Sequence, residues 1–152
     1  MGATREYKTE GIVVFWDAER CIHAQECVRG LPHVFNRQER PWIHVDRAAP
    51  DEIARVIRRC PSGALHYERT DGGEQEPVPE ASVEAVPDGP LYVRGNLEIR
   101  GPSGRLIRRD TRLALCRCGQ SLHKPFCDNT HRATGFRDGT PAGAAGQVDG
   151  EL

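Results

Sequence analysis

Apolar and aromatic residues are scarce in this chain of 152 residues. The hydrophobic types make up 38% of it and Phe, Trp and Tyr together 6%, against 16 glycines and 11 prolines. This is thin material for one large core, so something besides apolar burial has to hold the fold, which is either one domain or two small ones. Excess charge is also absent. With 21 Lys+Arg against 22 Asp+Glu the formal net charge is −1, and no basic cluster marks a nucleic-acid partner. The longest apolar run, Ile12 to Trp16, is too short to cross a bilayer. Arg5, Glu6, Lys8 and Glu10 stand where a secretory signal would carry its apolar stretch. No membrane is expected, and the cytoplasm is the expected compartment. Gly-rich phosphate loops, Ser-His-Asp orders and paired carboxylates are missing too, so no catalytic site is expected and the chain does not read as an enzyme.

What the chain does have is six cysteines. In a short exported protein they would suggest disulfides, but in a reducing compartment clustered cysteines more often hold metal or do redox chemistry. Cys21, Cys27 and Cys60 fall in the first half and Cys116, Cys118 and Cys127 in the second. Three and three cannot pair within either half, so each half looks like a metal site lacking one ligand.

Charge locates the boundary between them. Residues 1–70 carry a net +1, residues 90–152 a net +4, and residues 71–89 a net −6 with no basic group. That middle segment has three prolines and three glycines, so it reads as an extended, solvated linker, with Val83 and Val86 as anchor points. As a flexible chain it would span roughly 24 Å, which lets the domains touch without requiring it. Residues 139–152, rich in Gly and Ala, read as a disordered tail.

In the first half, 11–16 and 41–45 read as strands, 50–59 as an amphipathic helix with Pro and acids at its start and bases at its end, and 64–67 as a closing strand. In the second half, 91–94 and 97–100 alternate around Gly95-Asn96, residues 101–104 make a turn, and 106–107 and 113–115 supply further short strands. The fold class is therefore α+β, a small α+β domain at 1–70 followed by a mainly-β domain at 90–138 with a short helix after its ligand loop. Trp16 and Trp42 read as core, while His33, His44, His66 and His123 lack partners at metal spacing. Arg58-Arg59 and Arg108-Arg109 read as solvated or paired.

From Cys116 the sequence runs CRCGQSLHKPFCDNTH, three thiolates and an imidazole within 16 residues, a complete four-ligand set. The i, i+4 spacing of Cys127 and His131 puts both on one face of a helical turn, and Asp128 stands where it would cap free backbone donors. Structural zinc accepts the same ligand types. The run resembles the signature of the CDGSH iron-sulfur domain, the mitoNEET-like family. The resemblance implies a 2Fe-2S cluster, with Cys116 and Cys118 on the inner iron and Cys127 and His131 on the outer one. The Gly-Ser of the family signature is replaced here by Asn129-Thr130. Asn is the residue after glycine that best tolerates left-handed backbone, and Thr keeps a hydroxyl. A histidine ligand raises the potential above that of an all-cysteine centre and makes the cluster acid-sensitive.

The bacterial ferredoxin pattern C-x2-C-x2-C-x3-C-P, laid on Cys21, puts Ala24 at the second ligand, Cys27 at the third and Leu31-Pro32 at the last; the distant Cys60-Pro61 supplies the Cys-Pro. With CIHAQECVRGLPHVF, RPWI and CPSGAL, this half resembles the divergent 4Fe-4S mono-cluster and single-cluster 3Fe-4S ferredoxins. Three thiolates suit 3Fe-4S, or 4Fe-4S whose fourth iron takes another ligand such as His23. The whole reads as a two-cluster iron-sulfur protein for one-electron transfer, partnered by redox proteins. The alternative is a cluster carrier serving apo iron-sulfur proteins, or a redox or iron sensor. The CDGSH resemblance also implies a homodimer.

Overall fold

The computed structural model describes residues 3–139; the expected tail lies, from residue 140 on, outside the described residues. Two three-stranded antiparallel sheets account for most of the regular structure, as the α+β reading expects. The first has the order β1(Arg5–Lys8), β2(Ile12–Trp16), β3(Leu65–Arg69). Its register pairs Val14 with Tyr7 on one side and Tyr67 on the other. Strand β1, with Arg5, Glu6 and Lys8 along it, is not expected from the sequence; it is a charged edge, a composition that discourages pairing with other chains. Between β2 and β3 lie a 3-10 turn at Ala18–Arg20, the short helix α1(Glu26–Gly30) and helix α2(Pro50–Ile57).

Helix α2 begins as expected. Pro50 occupies its first turn with Asp51 and Glu52, and the Glu52 carboxylate accepts the Ala49 N–H at 3.1 Å. Ile53, Val56 and Ile57 on its buried face meet Ile12 and Val14 of β2, Leu65 and Tyr67 of β3, and Leu31, Val34, Phe35, Ile43 and Val45 of the connecting loop. The expected strand at 41–45 is only a single bridge, Phe35 with Ile43, because this segment turns inward to fill the core rather than running along a sheet.

The second sheet has the order β4(Ser82–Ala85), β5(Leu91–Arg100), β6(Leu106–Leu115). Gly95-Asn96 does not divide two strands. Gly95, at φ +134°, takes up a bulge between Arg94 and Leu97 inside one ten-residue strand. Likewise 106–107 and 113–115 belong to one strand. Part of the expected linker is also built in. Residues 82–85 form an edge strand on β5, where Val83 pairs with Val93 but stays exposed. This half buries little apolar surface: among the described residues its buried hydrophobics are Leu113 and Ala114 of β6 and Cys127 of the loop that follows.

What the second half lacks in core it gains by docking on the first. Arg112 of β6, 2% exposed, donates through Nη1 to the carbonyls of Ile57 (2.8 Å) and Cys60 (2.5 Å) and through Nη2 to that of Leu65 (2.6 Å). Its charge is met by Glu76, whose carboxylate also accepts the Tyr67 N–H. Beside it His66 faces a carboxylate on each ring nitrogen, Asp110 at 2.9 Å and Glu76 at 3.0 Å. Arg108 joins Asp110 (2.8 Å) to Asp17 (3.3 Å). Gly63, at φ +72°, sits so close that a Cβ would stand 2.3 Å from the Arg112 carbonyl oxygen.

Burial by itself would lower the His66 pKa, but its two carboxylates outweigh that and raise it to about 9; burial would raise Asp110, which His66 and Arg108 instead hold at about 2. A group with a raised folded pKa stabilises fully below its unfolded value, near 6.5, and loses that contribution as pH climbs through 9; Asp110 contributes above 3.8 and loses it toward pH 2. In thermal unfolding His66→Gln should therefore lower Tm most between about pH 4 and 6.5 and converge on the parent above about pH 9, whereas a gap constant with pH would mean that His66 is neutral at the interface. Gly63→Ala should cost about 1–3 kcal/mol or more in denaturant unfolding, through left-handed strain and the clash with β6.

Candidate metal centres

The first three cysteines come from separate elements. Cys21 follows the 3-10 turn, Cys27 lies in α1, and Cys60 follows α2. All three line one cavity of about 950 Å³, with His23, Trp16 and Trp42 among its other walls. His23 and Gln25 take left-handed backbone at φ +55° and +66°, which wraps the loop around this space. His23 Nδ1 stands 3.8 Å from the Cys21 Sγ, and Ser62 Oγ 3.7 Å from that of Cys60. Among the described residues the buried Trp42 indole Nε1 has no hydrogen-bond partner, although the ring lines the cavity. A buried donor left open beside three thiols suits an acceptor such as a cluster sulfide. Burial, and then the neighbouring Cys60, push the Cys27 thiol up to about 11; Cys21 is raised chiefly by burial. These thiols stay protonated without metal, so metal binding here releases protons.

The second site is built at the end of β6. The Cys116 N–H donates to the Pro125 carbonyl and the Cys127 N–H to the Ala114 carbonyl, each at 2.8 Å, which closes the 116–127 loop like two further rungs of a ladder. Inside it Ser121 Oγ donates to the Phe126 carbonyl (2.6 Å) and accepts the His123 N–H (3.0 Å). The Asp128 carboxylate accepts from Thr130 and Leu122, both at 3.0 Å, where α3(Thr130–Ala133) begins. Burial would raise Asp128, but those donors hold it near 2.

Four donors line one shallow cleft and come as two pairs: Cys116 and Cys118 with sulfurs 3.7 Å apart, and Cys127 Sγ with His131 Nδ1 at 3.6 Å. Backbone N–H groups point at the sulfurs, Gln120 at Cys118 and Asn129 at Cys127, each at 3.4 Å. Burial works to raise Cys116, yet the amides of Ser121, Gly119 and Gln120 lower it; Cys127 is raised by burial, and His131 is lowered by burial and by Arg132. A lowered His131 is the neutral imidazole that ligates metal. Among the described residues no group of three or more Cys, His, Asp or Glu side chains is placed to hold a single ion, at this site or at the first. The four donors stand as two pairs.

The matches to known proteins follow the same division. Residues 7–70 match the family model described as a divergent 4Fe-4S mono-cluster, and residues 88–132 the one described as an iron-binding zinc finger of CDGSH type. This chain is a fusion of those two families. The uncharacterized protein YjdI of Escherichia coli K12 is 41% identical over 66 residues, 43% of this chain and 87% of the relative, and YjdI of strain O157:H7 aligns with the same figures. The chain is an iron-sulfur protein, and both motifs lie inside the matched segments. No helix among the described residues is long and apolar enough to cross a membrane.

Three contributors escape a reading of ligand spacing. Trp42 is visible only as a core aromatic, and Gly63 only as part of the CPSG run. Asn129 stands out as a departure from the signature without showing its use. At φ +70° its side chain donates to the Ile22 carbonyl of the first half at 2.6 Å. Ser121→Ala would leave the half-buried Phe126 carbonyl and the His123 N–H without this partner, a loss of about 1 kcal/mol locally. It should speed loss of iron from the second site to a chelator while leaving the first site's absorbance unchanged.

Proposed function

We propose that this protein carries single electrons between redox proteins, holding a 2Fe-2S cluster on Cys116, Cys118, Cys127 and His131 and a 3Fe-4S or 4Fe-4S cluster on Cys21, Cys27 and Cys60, and that it has no catalytic reaction of its own. The pairing of the second-site donors carries this reading: two donors for each of two irons, one pair just after β6 and the other leading into α3. The first site supports it with three thiols lining one cavity.

When bound, such clusters accept and release one electron without a change of bonding. The residues set how readily this happens. Amide N–H groups aimed at Cys118 and Cys127 stabilise negative charge on sulfur, and so favour the reduced state. Arg117, on the cleft, is held by the carbonyls of Val86 and Gly89 and by Asp138, which fixes a cation beside the cysteines. His131 in place of a fourth thiolate removes one negative charge and raises the potential. Ala24 at the second ferredoxin position leaves the first site a ligand short, with His23 next to it.

Electron paramagnetic resonance of anaerobically purified protein, as isolated and after dithionite, tests the assignment. A signal in the oxidised protein identifies 3Fe-4S in the first site, since three ferric ions leave an odd electron count; silence before reduction followed by a second signal beside that of the reduced 2Fe-2S centre identifies 4Fe-4S. Reversible reduction with both clusters retained is the expected outcome, and colourless protein with stoichiometric zinc would overturn the reading. Transfer of the second-site cluster to an apo-ferredoxin within minutes would instead mark a cluster carrier. His131→Cys should lower the second centre's potential by on the order of 100 mV, the direction set by histidine-ligated centres. An unchanged potential would remove His131 from the ligand set.

A further inference from the structure

The two ligand loops are not merely in one chain; they touch. Ile22, directly after Cys21, is buried and packs in one apolar cluster with Cys127 and Ala114, and Ala24 lies against the same cluster. Ala24 is the residue standing where the ferredoxin pattern has a cysteine, so the position that gives up a ligand of the first site helps seat a ligand of the second. Asn129 completes the contact. Its N–H points at the Cys127 sulfur at 3.4 Å, and its side-chain amide donates to the Ile22 carbonyl at 2.6 Å. A short route of covalent bonds and two hydrogen bonds thus joins the Cys127 sulfur to the residue that follows Cys21.

The backbone at 129 is left-handed, φ +70°. Glycine meets that requirement at no steric cost, whereas an asparagine there adds a side-chain donor. That donor is spent on the other domain. Two more contacts hold the junction from either side. Arg112 bonds the carbonyl of Cys60, and Arg20, whose Nη2 reaches the Ser62 carbonyl, lays its guanidinium over the Phe126 ring at 3.4 Å, next to Cys127. Cys21 and Cys127 are therefore each close to a residue that bonds or packs across the junction, and Cys60 itself accepts a hydrogen bond across it.

We propose that Ile22, Ala24 and Asn129 form a built contact for one-electron exchange between the two centres of a single chain, with Asn129 as its positioning residue. The proposal rests on the electron-carrier reading given above. In the exchange one centre is oxidised and the other reduced by one electron, with no bond made or broken and no proton moved; the first electron comes from an external one-electron donor, a reduced flavin in the test.

The test uses the full chain with both centres loaded, reduced in part by a flash of photoreduced flavin. The expected result is a redistribution of absorbance between the centres at a first-order rate that stays unchanged on about tenfold dilution, where bimolecular exchange would slow about tenfold. In paramagnetic resonance the second centre should relax faster when the first is paramagnetic. Asn129→Gly keeps the left-handed backbone and should keep both centres' spectra, but slow the first-order redistribution severalfold; Asn129→Asp, which replaces the donor by an acceptor facing a carbonyl, should do the same. A redistribution rate proportional to protein concentration, or one indifferent to both substitutions, would overturn the contact while leaving the carrier reading in place. Centres that flavin and dithionite both fail to reduce would overturn the carrier reading itself.

Discussion

The buried guanidinium of Arg112 is the constraint on which the arrangement of this molecule depends. It projects from the second sheet into the first domain and satisfies the carbonyls of Ile57, Cys60 and Leu65, at the end of helix α2 and the start of β3. Those carbonyls lie around the turn that presents Cys60, so the cation that docks the halves also steadies a ligand loop. Its charge is tolerable because Glu76 faces it, and Glu76 is held in turn by His66 and the Tyr67 N–H. Remove the cation and three carbonyls lose a donor while Glu76 keeps a charge with His66 alone.

The arrangement follows from an uneven distribution of apolar material. Nearly all of the core belongs to the first domain, where α2 packs on β2 and β3. The second sheet has almost nothing to bury, and a small sheet without a core is marginal in water. It is held instead by three kinds of contact: polar docking through β6, the closed hydrogen-bond circuit of the 116–127 loop, and metal binding, whose free energy is also folding free energy. The acidic stretch between the domains takes part, since Gln75 and Glu76 bond β3 and residues 82–85 extend the second sheet. Its negative charge is thus partly a set of partners for Arg112 and His66.

Much of the site was legible because ligand chemistry is local. Cys116, Cys118, Cys127 and His131 stand within 16 residues, and a helical turn brings the last two together whatever surrounds it. The first site was legible in its ligands, less so in its shape; the Cys-Pro after a helix marks Cys60, but nothing nearby in sequence says that Trp42 would wall the same space. Helix α2 was plain from its periodicity and its charged ends. Residues 41–45 make one bridge and not the expected strand, and a short apolar run looks alike in sequence whether it joins a sheet or folds into a core. Gly95-Asn96 forms a bulge and not the expected turn; the same dipeptide serves either, and only pairing with β6 chooses.

The sequence by itself determined the chemistry: three thiols in each half, one imidazole in the second, an α+β chain divided by an acidic segment. Residue types and short spacings carry that much, since ligands within a turn or a loop need no distant partner. Tertiary structure alone decided that the halves dock, that Gly63 and Arg112 meet, that His66 is an interfacial ion pair, and that Asn129 reaches across to Ile22. Those contacts join residues about 40 to 110 positions apart, and each depends on a buried charge, a close backbone approach or a side-chain hydrogen bond that appears only when both partners are already folded.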